Sequence, residues 1–433
     1  MKILVDPASS YNLGDTAMLE GAVCRLTHIM PDVEMFIIER PRLKTMLWRF
    51  PRVTKQREYR VRSVVGNMLE SAPFLWRYHN NWQRFVFNIA LSCLGIFFRA
   101  ESLSVSSKIN AESKTLKEIC KLFDALFIVG GGNLTDTFYA SLFQKCCLMQ
   151  AFVEQGKPVI LTGQQIGPFA SRLWKKNLSK ILQKVDFIGL RECGGSLTFC
   201  KEAQIKPDRF VLMGDDSFGM TLADESSVTN FLAENGLRAN EFLSVNFRIA
   251  PYSKENMRYL DKMAAVIDKL AHKFKMPILV VPIAFNISDS DIAAGKRIND
   301  LVKHADIRMF RHPHPTSGLI KGILGKAFGA FGVSYHFCTF ALSSGIPAIC
   351  TYSGRYYGQK ARGLCLFWED ERLAVSLEKL NVDSIAEHIE YVLKDGSLRG
   401  KLRLQSLQKK IRWQEIFDNQ IKGIFTGDTL NKN

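Results

Sequence analysis

Residues 125–168 read ALFIVGGGNLTDTFYASLFQKCCLMQAFVEQGKPVILTGQQIGP. Two short apolar runs, Ala125 to Val129 and Val159 to Thr162, each end in glycine-bracketed loops. The stretch between them is long enough for a crossover helix. Strand-length runs that are apolar throughout, rather than alternating, belong to parallel sheets covered on both faces. The pattern extends outwards from this unit. Lys2 to Val5 and Val33 to Ile38 precede it, and Phe187 to Leu190 and Phe210 to Met213 follow. A second series begins at Phe242 to Phe247 and continues through Ile278 to Pro282, Ile307 to Phe310, Ala330 to Val333 and Ile346 to Thr351. The helical segment Asp224 to Asn235 separates the two series. These runs predict an α/β fold of two Rossmann-like domains, 1–223 and 224–401, with a ligand cleft between them at the carboxyl ends of strands. Pro41 to Ser113 breaks the pattern and reads as a largely helical, basic and apolar insertion in the first domain. Leu402 to Ile424 has helical periodicity, so 402–433 is expected to form a C-terminal helix crossing back to that domain.

Composition narrows the partners. Lys and Arg number 58 against 42 Asp and Glu in 433 residues, a formal net charge of +16, which predicts an anionic partner. A hydrophobic content of 47% excludes a disordered chain. The start, MKILVDPASS, reads as a buried strand rather than an export signal, so a cytoplasmic location is expected. The ten cysteines contain no C-x-x-C pair and are expected to be reduced, buried small side chains. The run Phe85 to Phe98, FVFNIALSCLGIFF, is shorter than the roughly 20 residues a spanning helix needs. Flanked by Arg84 and Arg99 and preceded by Trp76, Tyr78 and Trp82, it suits either an interfacial anchor or a buried helix. No nucleic-acid-binding motif accompanies the charge, and no nucleic-acid partner is expected.

The loops at the strand ends hold the candidate chemistry. Asn12, Gly14 and Asp15 follow the first strand, with Asp15 in position to cap a helix and Gly14 allowing a tight turn. Gly130 to Gly132 with Asn133 removes side chains where backbone would meet a ligand, ahead of a helix N-terminus. Gln164 and Gln165 occupy the matching loop after the next strand. Arg191 ends the strand after that, and Asp215-Asp216, usable as a linker salt bridge, ends the last strand of the first domain. In the second domain Arg248 can grip a carboxylate or phosphate bidentately. His336 stands at a strand-to-helix junction, where an imidazole can move protons near neutral pH. The loop after the final strand adds Arg355 and Lys360 with three tyrosines. Asp289-Ser290-Asp291 reads as a helix cap before it reads as a metal site, and His312-x-His314 has no nearby carboxylate or cysteine; no metal is expected.

In their order, N-x-G-D, G-G-G, G-Q-x-I-G-P, Arg191 with Ser196, Arg248, the G-x-x-x-H block ending at His336 and ALSSGIP at 341–347, these motifs resemble the polysaccharide pyruvyl transferase family. The resemblance spans about residues 1–40 and 120–365. It implies a glycosyltransferase-B-like fold and transfer of the pyruvyl group of phosphoenolpyruvate to a sugar hydroxyl as a ketal, with no cofactor beyond that donor. It implies His336 as general acid, Arg248 as a donor contact, and Arg355 or Lys360 in place of the basic residue after the final strand. Family members commonly carry arginine two residues before the histidine; this chain has Ser334 there.

A nucleotide-sugar glycosyltransferase is the alternative for the same cleft, and Glu369-Asp370 could supply its ribose-binding acid. The acceptor is expected to be a glycan or lipid-linked sugar. The basic, aromatic stretch Arg40 to Arg62 ahead of the apolar run points to peripheral attachment at the anionic inner face of the membrane.

Overall fold

The computed structural model describes residues 1–8, 12–38, 60–63, 102–106, 111–249, 257–285 and 291–427. Two parallel sheets dominate. The first contains β1 (Lys2–Asp6), β2 (Glu34–Ile37), β6 (Ala125–Ile128), β7 (Gly131–Leu134), β8 (Val159–Ile166), β9 (Phe187–Leu190) and β10 (Phe210–Leu212), in the order β10-β9-β8-β6-β1-β2 with β7 also paired to β8. The second contains β11 (Leu243–Asn246), β12 (Ile278–Val280), β13 (Ile307–Met309), β14 (Gly329–Gly332), β15 (Ala348–Tyr352) and β16 (Ala374–Ser376), in the order β13-β12-β11-β14-β15-β16. Side chains of β1 alternate between two cores: Ile3 and Val5 on one face, Leu4 on the other. The Ile3 face belongs to a core continuous with the second sheet, so the two domains share apolar burial.

Strand order decides where a ligand can go. The first sheet grows away from β1 in opposite directions on either side of the β1–β6 boundary, and the second does so at β11–β14. Neighbouring loops diverge at such reversals and leave a crevice at the carboxyl ends. In this chain the two crevices face each other.

Several expectations change at the strand ends. The run from Gly163 is not a loop: β8 continues to Ile166, because β7 pairs beside it with Gly131 opposite Gln164 and Leu134 opposite Ile166. The triple glycine therefore enters a strand, and the next helix, Tyr139–Glu154, begins only after a 3-10 turn. The first helix, α1 (Leu13–Ile29), is capped by Asn12, whose side chain accepts from the Gly14 N–H at 2.9 Å; Asp15 falls inside the first turn instead.

Residues 60–63, 102–106 and 111–115 (β3, β4 and β5) form a three-stranded antiparallel sheet, where helix is expected for 41–113. The period-two pattern of SLSVS at 102–106 is the local reason. The basic stretch 40–59 and the apolar run 85–98 lie outside the described residues.

The other helices that shape the site are α2 (Asp291–Leu301), α3 (Ser317–Leu324), α4 (Tyr335–Leu342), α5 (Gly354–Trp368) and α6 (Gly396–Glu415). The domains meet where the Ser317 hydroxyl donates to Leu13 O at 2.7 Å and the Leu13 N–H donates to Ile283 O at 2.9 Å. From α6 the chain returns to the first domain. Buried Trp413 donates from Nε1 to Asp216 at 3.0 Å, and Phe417 packs 6.3 Å from Phe127 of β6. Burial pushes the Asp216 carboxyl up to about 7, against hydrogen bonds from Thr162, Trp413 and the Gly130 N–H. Among the described residues no helix is long and apolar enough to cross a membrane.

Trp413→Phe removes a donor from this buried carboxyl and leaves part of its pocket empty. The expected cost is roughly 2 kcal/mol, read as a lower thermal midpoint; an unchanged midpoint would show that α6 does not hold the domains together.

Candidate active site

Each half of the cleft contributes residues from its reversal point. From β1 and β7 come Asn12, Asp15, Gly132 and Asn133; from the ends of β11 and β14 come Arg248, Ser334, Tyr335 and His336. Arg191 enters from β9, and Tyr356, Tyr357 and Lys360 from α5. Together with Phe138 they line a cavity of about 190 Å³.

Gly14 lets the two halves approach. A Cβ on it would lie 2.0 Å from Cγ of His336, so the imidazole occupies the space any other residue would need. Nε2 of His336 faces Oδ2 of Asp215 at 3.5 Å. The same carboxylate lies 3.6 Å from Nη1 of Arg191 and accepts from the Ser217 N–H at 3.0 Å. Burial alone would raise the Asp215 carboxyl, but His336, Arg191 and Ser217 outweigh it and hold the group well below the usual carboxylate range. Asp215 is therefore an anion that orients the histidine.

Both arginines are held from behind. Arg191 is buried, donates to Gln165 Oε1 at 2.5 Å, and lies with Cζ 4.1 Å from the Tyr335 ring centre. Arg248 lies 3.7 Å from Asp291, the first residue of α2. The other Asp291 oxygen accepts from the Ile283 and Ala284 N–H groups and from Asn246 Nδ2. Asp291 thus supports an arginine rather than capping its helix or binding a metal–nucleotide pair; Asp289 and Ser290 lie outside the described residues. Lys360 sits 4.3 Å over the Tyr356 ring. Burial, then repulsion from Arg191 and Arg248, carry its amine well below the ordinary lysine value. Asp15, half-buried opposite these cations, shifts the other way: burial raises its carboxyl above the ordinary range although His336, Lys360, Arg248 and Arg191 all pull it down.

Besides Gly14, which packs against His336, four expected contacts lie outside the cavity lining. Gln164 turns inward and donates to Val129 O and Thr162 O, both at 2.9 Å, where the β8 register shifts. Gln165 acts through Arg191. Gly131 faces Ala8, whose Cβ would be 2.9 Å from an added one. Arg355 is exposed: five residues apart on a helix, it and Lys360 point about 140° away from each other. Glu369 pairs with Lys409 at 3.3 Å, and Asp370 with Arg372 at 2.7 Å, so neither reaches the cavity. His312 and His314 are exposed, and among the described residues no group of three or more His, Cys, Asp or Glu could hold a metal ion. Asp215 is the functional residue that sequence reading undervalues; its signal was the acidic pair at a strand's carboxyl end.

Two parallel sheets with reversal points facing across a cleft define a glycosyltransferase-B-like protein. Solved structures agree on that fold. UDP-GlcNAc 2-epimerase of Neisseria meningitidis, bound to UDP-GlcNAc, is similar at TM-score 0.59 and 11% identity, over 98% of this chain and 100% of that one. MnaA of S. aureus, solved with UDP, gives 0.61 and 10% over 98% and 97%. The calicheamicin glycosyltransferase CalG4 gives 0.53 and 11% over 98% of both. The polysaccharide pyruvyl transferase signature matches residues 12–355, and the chain belongs to that family. No curated protein sequence matches it.

Gly14→Ala should displace the His336 ring without unfolding the chain. Imidazole resonances in the NMR spectrum should move while the far-ultraviolet circular dichroism stays constant; unmoved resonances would contradict the contact.

Proposed function

We propose that this polysaccharide pyruvyl transferase uses phosphoenolpyruvate as donor and forms a pyruvate ketal on two hydroxyls of a sugar during surface polysaccharide or glycan biosynthesis. The convergence of Arg191, Arg248 and Lys360 with a His–Asp pair in one small cleft carries this reading. Phosphoenolpyruvate presents a carboxylate and a phosphate within a few bonds, and closely spaced cations suit it.

The methylene carbon takes a proton and becomes the methyl group, and positive charge develops at the neighbouring carbon. One sugar oxygen bonds there, the C–O bond to phosphate breaks, and the second sugar oxygen closes the ketal. Two hydroxyl protons are released: one balances the proton delivered to carbon, the other leaves with inorganic phosphate. His336 delivers the first proton, oriented by Asp215. The arginines and Lys360 hold the donor and stabilise departing phosphate.

Asp15 accepts the hydroxyl proton. The two cleft carboxylates are pushed apart, Asp215 downward and Asp15 upward, and such divergence separates a permanent anion from a proton acceptor.

A nucleotide-sugar donor fits less well. Pockets for drug-sized ligands run to roughly 300–1,000 Å³, against about 190 Å³ here, and Glu369 and Asp370 are engaged elsewhere. We further place the chain in the cytoplasm at the inner face of the membrane, acting on a glycan or lipid-linked acceptor.

Phosphoenolpyruvate should raise the thermal midpoint of the wild type, and UDP-sugars should not. His336→Ala should keep that shift yet form no ketal by mass spectrometry on a panel of nitrophenyl hexosides. Stabilisation by UDP-sugars alone, or unchanged turnover in His336→Ala, would refute the assignment. A base must be ionised to act, so a raised Asp15 moves the acid limb of kcat/KM above the ordinary carboxylate range. Asp15→Asn should lower turnover about 100-fold or more and abolish that limb; an intact limb would remove Asp15 from the chemistry.

A further inference from the structure

Helix α6 is apolar on two sides. Leu398, Leu402 and Trp413 face the core. On the other side Leu404 and Leu407 are each 58% exposed and Ile411 is 45% exposed. Spaced by three and four residues, these three form one row about 10 Å long. A helix with one side against the core has no structural need for an outward row of large apolar side chains.

Charge shows what suits that row. From Gly396 to Gln414 the helix carries Arg399, Lys401, Arg403, Lys409, Lys410 and Arg412 and no acid; Glu415 closes the row at its end. Arg399 donates to Phe328 O, Lys401 to Glu369 O and Lys409 to Glu369 Oε1, so these three are tied to the protein. Arg403, Lys410 and Arg412 are exposed and pair with no carboxylate among the described residues. Arg403 and Lys410 lie on one side of the row, and Lys401 and Arg412 on the other.

We infer that the outward face of α6 docks on an anionic lipid bilayer, with Leu404, Leu407 and Ile411 in the headgroup–acyl boundary and Arg403, Lys410 and Arg412 on lipid headgroups. An apolar row between two basic margins matches an interfacial helix. Nucleic acid offers nothing to the leucines, and a second copy of the chain would bring like charges together. This contact is separate from the 40–98 stretch on which the broader membrane reading rests, and it spans both domains, because α6 leads from Phe328 to Asp216.

The test is flotation of the full-length chain with phosphatidylcholine vesicles, with and without phosphatidylglycerol. The variants are Leu404→Gln/Leu407→Gln/Ile411→Gln and Arg403→Gln/Lys410→Gln/Arg412→Gln. Wild type should float only with the anionic vesicles and release at high salt. Each variant should lose binding about tenfold or more, with an unchanged thermal midpoint and unchanged ketal formation on a soluble hexoside. Wild-type binding that both variants retain would overturn this inference and leave 40–98 as the contact. A wild type that ignores anionic vesicles would overturn the inference and the broader membrane reading together. An apolar variant that turns a dimer into a monomer while still floating would make the row a self-interface and overturn the inference too. None of these outcomes touches the donor assignment, which the soluble assay reads separately.

Discussion

Two arginines, a lysine and an imidazole share one small cleft, and carboxylates stand behind the arginines and the imidazole. A buried cation without a partner is costly enough to lose its charge or unfold its site. Asp215 faces both Arg191 and His336, and Asp291 faces Arg248. Each is itself fixed by backbone N–H groups, Ser217 for the first and Ile283 with Ala284 for the second. The positive field of the cleft is thus built into the scaffold before any donor arrives, which is what electrostatic preorganisation requires. Lys360 sits over the Tyr356 ring, and burial with repulsion from both arginines outweighs the pull of Asp15 and carries its amine well below the ordinary lysine value.

The architecture explains why this field sits where it does. Both sheets reverse strand order, the first between β6 and β1 and the second between β11 and β14, and most groups lining the cavity follow strands at those reversals, with Arg191 arriving from β9. Gly14 then sets the closeness of the halves, since its missing side chain is the space that His336 fills. The solved structures with the same fold include proteins bound to UDP or UDP-GlcNAc. One scaffold can hold different ligands and host different reactions, so chemistry has to be argued from the cleft.

Much of this was legible in the sequence. Fully apolar strand runs announce parallel sheets, and residues just past them, such as Asn12, Arg248 and His336, fall at carboxyl ends whatever the details of packing. What failed to show was direction. Gln164 and Gln165 look like loop residues because they are polar, but β7 pairs beside them and keeps them in a strand. Arg355 and Lys360 look interchangeable until the helix that carries them turns one outward. Asp215 and Asp291 look like caps or linker charges, since a carboxylate's job is set by a partner distant in sequence. The strand β16 escaped notice because three residues, AVS, carry too little pattern to stand out.

Glycan chemistry tests the donor and reaction most directly. Surface polysaccharide from cells with and without this gene should differ by one pyruvyl ketal per acceptor unit in the mass spectrum. Restoring the wild-type gene should return the ketal, and restoring the His336→Ala form should not. Polysaccharide carrying the same ketal content with and without the gene, or lacking a whole sugar instead of a ketal, would contradict pyruvyl transfer.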